Sequence, residues 1–430
     1  MNGHAVVIGG GIGGLLAAHA LARRFERLTI LERDHYPAGS PWEAPPARRG
    51  VPQSRCLHLL MAGGAAAFDE LMPGWREELV ELGAVPFDAS ADTAMRFPSG
   101  WLPRSYSGIT SYASSRALIE QVLRRRLSRR PTVHLREGQR VLGLLGDRSG
   151  ERVMGVRTAE AQDRGETSLL ADLIVEASGR GSALPAWLDR LPGQLGSQVE
   201  ETVVESRMRY VSRWFHLAPA DVPDWQCLSI APTTEIPRSA MMLRAEGDFW
   251  GVVLLAGAAA SLPCDDNAFL EFTAGLADSR LRDALERAKP MSPIHHHAGG
   301  SSRMRHFERR TTWPAGLVAL GDAVCALDPY FGLGMTAAAR GAVLLGKHQE
   351  QGSTHVLQGS EFQKELASLN TGPWRLATGC DAGGRPPAID ATYLAGLYEA
   401  APSSSDVAHA LLAVQHLLRP LESLMELARR

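Results

Sequence analysis

The sequence contains little cysteine and almost no lysine. Its 430 residues include five cysteines, which is an odd number, and none of them forms a C-x-x-C pair. This usage excludes a disulfide or zinc framework and is typical of buried thiols in a reducing cytoplasm. Lysine occurs only at positions 289, 347 and 364, so arginine carries nearly all of the positive charge. The cysteine usage leads us to expect a cytoplasmic protein.

Long apolar runs and an excess of either charge are also absent. Hydrophobic residues make up 45% of the chain, charged residues make up 21%, and the net charge is −2. No uninterrupted apolar run approaches the roughly 20 residues of a membrane span. No basic cluster favours nucleic acid or an anionic membrane as a partner. Because the first turn begins at residue 9, we expect no signal peptide ahead of it.

A metal site has little support in the sequence. Three consecutive histidines, His295, His296 and His297, invite such an interpretation. Successive side chains of a strand point to opposite faces, so the three cannot face one ion together. No cysteine or carboxylate stands close by in the sequence to complete a ligand set. We therefore interpret them as structural or loop residues and expect no metal.

The chain begins with a predicted strand, a glycine turn and a helix. Residues 5–8 are apolar and mostly β-branched, and the helical segment after the glycines is rich in Leu and Ala. Gly9, Gly11 and Gly14 have the G-x-G-x-x-G spacing of a dinucleotide-binding turn, which lets backbone approach a pyrophosphate and helix pack on strand. The next predicted strand ends at Glu32, whose carboxylate can accept hydrogen bonds from ribose hydroxyls. A glycine-rich loop of an ordinary α/β protein is the alternative, and the helix, strands and acid together disfavour it.

Further α/β elements follow. A loop rich in Pro and Gly extends to residue 52, and it either covers a cofactor or is an ordinary surface loop. Residues 115–123 predict a helix with a serine cap. Arg116, in its first turn, is either solvated or contacts a ligand, since the helix dipole disfavours a cation there. Short strands in residues 133–170 predict a β-meander, after which residues 173–176 return to the parallel sheet.

The second half of the chain combines an antiparallel sheet with helices. Residues 199–262 are rich in β-branched and aromatic residues, and these aromatic side chains either line an apolar pocket or fill a core. Residues 317–323 predict another parallel strand, and a Gly-x-Gly helix start follows it. Beyond residue 351 the composition is helical, with a hinge at residues 401–405 before a last helix over residues 407–418.

Three of these features together resemble the flavoprotein monooxygenases of the glutathione-reductase-type, para-hydroxybenzoate hydroxylase-like FAD fold. They are the glycine fingerprint, Glu32 and the motif Gly321-Asp322…Pro329…Gly332-x-Gly334-Met335. In that family the late Asp binds ribityl hydroxyls of FAD, the Gly-x-Gly-Met helix start faces the pyrimidine end of the ring, and an arginine matching Arg116 contacts the cofactor.

The resemblance implies a set of site residues. The narrower likeness is to the bacterial alkene epoxidases of polyether-ionophore biosynthesis, and it rests on residues 50–60, 176–188 and 328–332. Pro329 and Phe331 would lie near the ring, and Tyr210, Trp214 and Phe215 would form the substrate pocket. The FAD contacts would come from Gly9, Gly11, Gly13, Gly14, Glu32, Arg33, Gln53, Arg55, Arg116, Val141, Gly179, Asp322, Pro329, Gly332, Leu333, Gly334 and Met335.

The implied fold is α/β: a Rossmann-like FAD-binding domain with a β-meander, an inserted, mostly antiparallel substrate domain, and C-terminal helices. The expected boundaries are residues 1–85, 110–190 and 297–350 for the FAD-binding domain, residues 86–109 and 191–296 for the substrate domain, and residues 351–430 for the C-terminal helical region.

The implied reaction is insertion of one oxygen atom from O₂ through a flavin C4a-hydroperoxide. The expected substrate is small, apolar and organic, and we favour epoxidation of an alkene of a polyketide- or terpene-like secondary metabolite. Because the cofactor carries this chemistry, no catalytic triad or carboxylate pair is needed. Ser178-Gly179 stands where many single-component members have an Asp-Gly that serves both FAD and nicotinamide. Direct reduction by NAD(P)H and supply through a separate flavin reductase therefore both remain open.

Other functions share this fold. Flavin-dependent halogenases use a lysine and a Trp-x-Trp-x-Ile-Pro motif, and this sequence has no lysine before residue 289 and no such motif. Aromatic hydroxylases, FAD-dependent reductases or desaturases of isoprenoids, and non-redox cyclases that retain flavin stay open. A pure binding module is disfavoured because several segments serve one redox cofactor.

Overall fold

The computed structural model describes residues 3–36, 48, 51–160, 165–193, 198–206, 208–257, 260–297, 300–351, 358–381, 384 and 389–429. The predicted Pro- and Gly-rich loop falls largely on residues 37–47, 49 and 50, which lie outside the described residues. Among the helices of the described ranges, none combines the length and the apolar character that a bilayer crossing requires.

A five-stranded parallel sheet forms the centre of the first domain. The N-terminal strand lies in its middle, where Val6 pairs with Thr29 on one side and with Ile174 on the other. Helices cover both faces of such a sheet, which explains why its central strands are continuous apolar runs. Across the sheet the strands are Leu317–Ala319, Leu173–Glu176, His4–Ile8, Arg27–Leu31 and Val133–Arg136.

The predicted β-meander is present, but it begins later than expected. Its three antiparallel strands are Gln139–Gly146, Val153–Glu160 and Glu166–Leu170. The expectation that residues 133–135 belong to the meander is wrong, because Val133–Arg136 pairs in parallel with Arg27–Leu31 at the sheet edge. A series of short strands in the sequence does not show with which other strand the first of them pairs.

Helices rich in small residues pack on the parallel sheet. The helix Ile12–Leu21 lies between the helices Arg116–Ser128 and Gly334–Gln351, and its Ala17 and Ala18 are fully buried. Three more helices of this half of the chain are Ala62–Leu71, Trp75–Glu81 and Leu184–Leu188.

The second domain is built on an eight-stranded, mostly antiparallel sheet, as predicted. The exception to the antiparallel pairing is the contact of Thr93–Phe97 with Cys227–Ile230, which is parallel. One face of the sheet packs against the helices Asp266–Ala274 and Arg280–Leu285. The strands are Lys289–Pro290, Met208–His216, Phe249–Gly257, Arg238–Arg244, Cys227–Ile230, Thr93–Phe97 and Gly100–Trp101 in order, with His295–His297 also paired to Met208–His216.

Two three-stranded sheets connect the domains. The first joins Leu57–Leu60, Thr110–Ser115 and Val85–Asp88, and the second joins Glu201–Val204, Ser302–Arg305 and Cys325–Ala326.

The C-terminal region is helical, as expected. Its α-helices are Gly359–Thr378, Ala391–Ala400 and Ser405–Gln415, and the 3₁₀ helix Leu421–Arg429 follows them. The last predicted helix therefore starts two residues earlier than expected and ends three residues earlier. Leu411 and Leu424 of this region pack in one cluster with Met95 and Phe97, so the C-terminal helices cover this part of the eight-stranded sheet.

Candidate active site

A large cavity of about 1260 Å³ is lined both by the N-terminal glycine turn and by the C-terminal helices. Ordinary small-molecule sites have roughly 300–1,000 Å³. The cavity can therefore hold a nucleotide cofactor together with a second molecule.

The glycines of the N-terminal turn divide into two kinds. A Cβ on Gly9 would lie 2.6 Å from the carbonyl oxygen of Ala177, and one on Gly14 would lie 1.9 Å from the carbonyl oxygen of Gly9. A Cβ on Gly11 would meet only the Arg116 guanidinium, at 3.6 Å. Gly11 is also the N-cap of the helix Ile12–Leu21, and no side chain caps this end. The turn therefore presents an open backbone and a positive helix end to the cavity, as a diphosphate requires.

Glu32 lies at the end of its strand and lines the cavity. Its Oε2 accepts a hydrogen bond from Gly10 N at 2.7 Å and pairs with Arg48 Nη2 at 2.7 Å. Arg48 also donates to Glu120 Oε2 at 2.7 Å, and Glu120 Oε1 pairs with Arg116 Nε at 2.9 Å. This chain of charges holds the Glu32 and Arg116 side chains at the cavity wall.

Two members of that network were not predicted from the sequence. Arg48 stands in a part of the sequence that is rich in Pro and Gly and has no periodic pattern, so nothing in the sequence marks its partner. Glu120 stands four residues after Arg116 on one helix, a spacing that favours an ion pair and could have been noticed. Burial lowers the pKa of Arg48, but the Glu120 and Glu32 carboxylates raise it more strongly, so its net pKa is above the ordinary value.

The second half of the site follows the strand Leu317–Ala319. Asp322 lines the cavity together with the segment 329–335, where the helix Gly334–Gln351 begins. Gly332 has a φ of +66°, and a Cβ there would lie 2.9 Å from Met61 Cε. Burial raises the pKa of Asp322, and Arg180, Arg116 and Arg303 oppose that rise. Asp322 is thus a carboxylate of the cavity wall that is influenced by the positive charges of three arginines.

The loop after the strand Leu173–Glu176 lies against the same cavity. Gly179 has a φ of +83°, and no heavy atom lies within 4 Å of a Cβ placed there. The Ser178 hydroxyl donates to the buried carboxylate of Glu176, and burial raises the pKa of that carboxyl. Arg180 donates to the carbonyl oxygen of Leu327 at 3.0 Å and so connects this loop to the chain just before the segment 329–335.

Most of the predicted site residues meet at this cavity. Those that line it are Gly9, Gly11, Gly13, Glu32, Arg33, Gln53, Arg116, Val141, Gly179, Tyr210, Asp322, Pro329, Phe331, Gly332, Leu333, Gly334 and Met335.

Four predicted residues do not line the cavity, namely Gly14, Arg55, Trp214 and Phe215. Gly14 lies behind the turn, where it lets the helix approach Gly9. The Arg55 guanidinium lies 3.5 Å from His295 Nδ1, and its carbonyl accepts a hydrogen bond from Trp214 Nε1 at 3.1 Å. Phe215 packs on Phe269 across the opposite face of the sheet, because neighbouring side chains of a strand alternate.

The far end of the cavity is apolar and comes from segments that carry no motif. The alternation of strand residues and the apolar faces of the C-terminal helices explain why most of these side chains are apolar. No local signal says that these segments meet. The residues include Met61, Phe87, Met95, Val253, Leu255, Tyr398, Leu411, Val414 and His416.

The three consecutive histidines form a strand beside Met208–His216. His297 stacks on Tyr210 at 4.8 Å, and its Nε2 lies 2.9 Å from Ser212 Oγ and 3.2 Å from Cys56 Sγ. Burial lowers the pKa of His297 to about 4 and raises the pKa of Cys56 to about 12, so the pair is neutral. Within the described ranges, no group of three or more His, Cys, Asp or Glu side chains has the arrangement of a metal site.

The comparisons with solved structures show the fold. PqsL from Pseudomonas aeruginosa, a probable FAD-dependent monooxygenase, is 15% identical with a TM-score of 0.65 over 95% of this chain and 100% of PqsL. The p-nitrophenol 4-monooxygenase PnpA from Pseudomonas putida is 18% identical with a TM-score of 0.64 over 98% and 99%. The flavin-dependent brominase Bmp2 is 13% identical with a TM-score of 0.66 over 97% and 94%. The chain therefore has the fold of the FAD-dependent monooxygenases.

Two comparisons concern the sequence itself. Residues 7–68 match the family described as an NAD(P)-binding Rossmann-like domain. Protein Rv3254 of Mycobacterium tuberculosis is 32% identical in an alignment of 349 residues that covers 77% of this chain and 70% of the relative.

Proposed function

This chain belongs to the family of protein Rv3254 of Mycobacterium tuberculosis, and from its fold and its cavity we propose that it is an FAD-dependent monooxygenase. The observation that carries the proposal is the convergence of two distant segments on one cavity. The glycine turn with Glu32 lines it from the N-terminal part of the chain, and Asp322 with the segment 332–335 lines it from residues some 300 positions later. One extended cofactor explains both.

The residues present fit FAD. The uncapped helix end at Gly11 suits the diphosphate, because free N–H groups and the helix dipole favour negative charge. Glu32 and Asp322 are carboxylates at the cavity wall that can accept hydrogen bonds from sugar and ribityl hydroxyls. The arginine at position 116 adds a cation beside Gly11.

Reduced flavin, when bound, supplies the activation of O₂. In the proposed reaction one oxygen atom enters the substrate, the other leaves as water, and NAD(P)H provides the two electrons. The protein has the tasks of binding, orienting and excluding water. Apolar side chains such as Phe87, Val253 and Leu411 give the far end of the cavity the dry surface that this requires.

Epoxidation of an alkene of a polyketide- or terpene-like metabolite is the finer form of the proposal. It is supported by the apolar far end of the cavity and by the motif likeness of residues 50–60 and 328–332 to alkene epoxidases. Hydroxylation of an aromatic ring is the second candidate, and it is supported by the fold shared with p-nitrophenol 4-monooxygenase PnpA. The proposal includes a cytoplasmic location, and it includes a separate flavin reductase as an alternative to direct reduction by NAD(P)H.

Isotope labelling tests the proposal. The purified protein is loaded with FAD, reduced with NAD(P)H or by light under anaerobic conditions, and mixed with ¹⁸O₂ and a panel of alkenes and phenols. We expect a yellow protein and a product that carries a single ¹⁸O atom. A protein that stays colourless in the presence of FAD contradicts the assignment. A flavoprotein that releases only hydrogen peroxide with every compound contradicts the oxygenase activity.

A further inference from the structure

His416 is a polar side chain of the cavity wall that lies against the backbone of residues 62 and 63. It directly follows the helix Ser405–Gln415, lines the cavity and is only 4% exposed. Leu417, the next residue, has a φ of +57°, a left-handed backbone that side chains other than glycine rarely adopt. This turn ends the helix and places both side chains inward.

Backbone contacts orient the imidazole ring of His416. Ala62 N donates to its Nδ1 at 3.3 Å, and the His416 carbonyl oxygen accepts from Gly63 N at 3.0 Å. Ser111 Oγ lies 3.4 Å from the same Nδ1. Because a backbone N–H can only donate, Nδ1 must hold the lone pair, and in a neutral ring the proton is then on Nε2.

The ring is neutral near pH 7. Burial lowers the pKa of His416 to about 4, and the charge of Asp88 opposes that shift. The Asp88 carboxylate is itself occupied by donors of Ser90, Ala91 and Ser107. Among the residues that the structure describes, none is hydrogen-bonded to Nε2. The donor on Nε2 is therefore available to a molecule inside the cavity.

The position of His416 relates this donor to the cofactor end of the site. Ala62 follows Met61, whose Cε lies 2.9 Å from the position of a Cβ on Gly332. Met61, Leu333 and Leu417 belong to one buried cluster. The turn after the helix Ser405–Gln415 thus places the His416 ring close to the segment that the proposed function assigns to the flavin ring.

We propose that His416 donates a hydrogen bond from Nε2 to an oxygen atom of the substrate and so determines which carbon faces the cofactor end of the cavity. The inference rests on the proposed function. It restricts the substrate class to apolar molecules that carry a carbonyl, hydroxyl or phenol oxygen. His416 acts in it as a positioning residue.

Matched probe pairs test this inference by calorimetric binding to the FAD-loaded protein. One pair is 1-naphthol and 1-methylnaphthalene, and the other is geraniol and 2,6-dimethyl-2,6-octadiene.

His416→Asn keeps an acceptor near Nδ1 but removes the Nε2 donor, whereas His416→Gln keeps a donor near Nε2. We expect the oxygen-bearing member of at least one pair to bind about tenfold more tightly than its partner, a preference of the size of one hydrogen bond. His416→Asn should remove that preference, and His416→Gln should retain it in part.

Several results would overturn the inference. They are equal binding of both members of each pair, absence of binding by all four probes at millimolar concentration, and an equal loss for both members in His416→Asn. The last result would mean that the imidazole only fills space. The melting temperature and the FAD content of each variant report the fold separately. If the protein takes up no FAD, the proposed function fails, but the probe preference remains measurable on the same protein.

Discussion

Gly11 and Gly14 are both glycines and stand three positions apart, yet their surroundings give them different roles. Gly14 is in contact with the carbonyl of Gly9, so the helix can lie close to the strand. Gly11 has an ordinary φ of −74° and faces the cavity. A methyl group is therefore excluded by the protein itself at Gly14 and only by a ligand at Gly11.

Replacement of each glycine by alanine separates these two tasks. Gly11→Ala should leave the free energy of unfolding of the FAD-free protein within about 0.5 kcal/mol of wild type and weaken FAD binding by tenfold or more. Gly14→Ala should destabilise the FAD-free protein by several kcal/mol, since its Cβ would lie 1.9 Å from a backbone oxygen. Urea unfolding without FAD and fluorescence titration with FAD measure the two quantities. Equal FAD affinity of Gly11→Ala and wild type would contradict the placement of the diphosphate.

Asp322 is expected to determine how firmly FAD is retained. Asp322→Asn keeps the size of the side chain but replaces one acceptor oxygen by a donor, so a hydroxyl of the bound cofactor loses its partner. The loss should be about 1–3 kcal/mol, or roughly 5- to 150-fold in the dissociation constant. Equilibrium dialysis of FAD measures it. Asp224→Asn is a matched control, because the Asp224 side chain is 82% exposed on the surface, and it should bind FAD like wild type.

At the scale of elements, a histidine joins two helices of the nucleotide-binding domain. His19 of the helix Ile12–Leu21 donates through Nε2 to the carbonyl of Leu123 at 3.0 Å, in the helix Arg116–Ser128. Burial lowers the pKa of His19 to about 4, although the bond to Leu123 opposes the shift. The packing of these helices therefore requires a neutral imidazole.

The contribution of His19 to stability depends on pH in one direction. In the unfolded chain its pKa is near 6.5, so between pH 6.5 and 4 the unfolded state binds a proton that the folded state does not. Protonation then favours unfolding, and the contribution falls as the pH falls through this window, by on the order of 3 kcal/mol in total. His19→Gln retains a donor to Leu123 and cannot be protonated. In urea titrations, the free energy of unfolding of His19→Gln should increase relative to that of wild type when the pH is lowered from 7 to 4.5.

His35→Gln is the control for that experiment, because the His35 side chain is 69% exposed. It should change the free energy of unfolding little at either pH. A constant difference between His19→Gln and wild type at all pH values would show that the imidazole is not buried against the second helix.

The elements themselves could be predicted where the pattern is local. The strands of the parallel sheet are apolar runs between glycine and acid residues, and both their existence and their order along the chain follow from the sequence. The pairing of Val133–Arg136 did not follow, since the partner of a strand is decided by contacts across the sheet. For the same reason the sequence did not show that Tyr210 faces the cavity whereas Phe215 packs on Phe269 on the other face of the sheet.

At the scale of the whole molecule, the cavity joins parts that the sequence separates. Its cofactor end is built from contiguous motifs, so Gly11, Glu32 and Asp322 could be predicted from spacing and resemblance. Its far end is built from single residues of several strands and of the C-terminal helices. Neither Arg48 nor His416 is marked by a pattern, because Arg48 donates to Glu120, 72 positions away, and His416 accepts from Ala62, 354 positions away.

Binding of FAD should therefore protect distant parts of the chain together. At a hundredfold excess over its dissociation constant a ligand stabilises the folded state by about 2.7 kcal/mol. Hydrogen exchange followed by mass spectrometry should show slower exchange in peptides around residues 9–15 and 330–338 when FAD is added. The helix Asp266–Ala274 packs on the opposite face of the large sheet, so its exchange should slow less than that of these two segments. Protection confined to residues 9–15 would mean that the bound nucleotide does not reach Asp322, and one extended cofactor could then not explain the cavity.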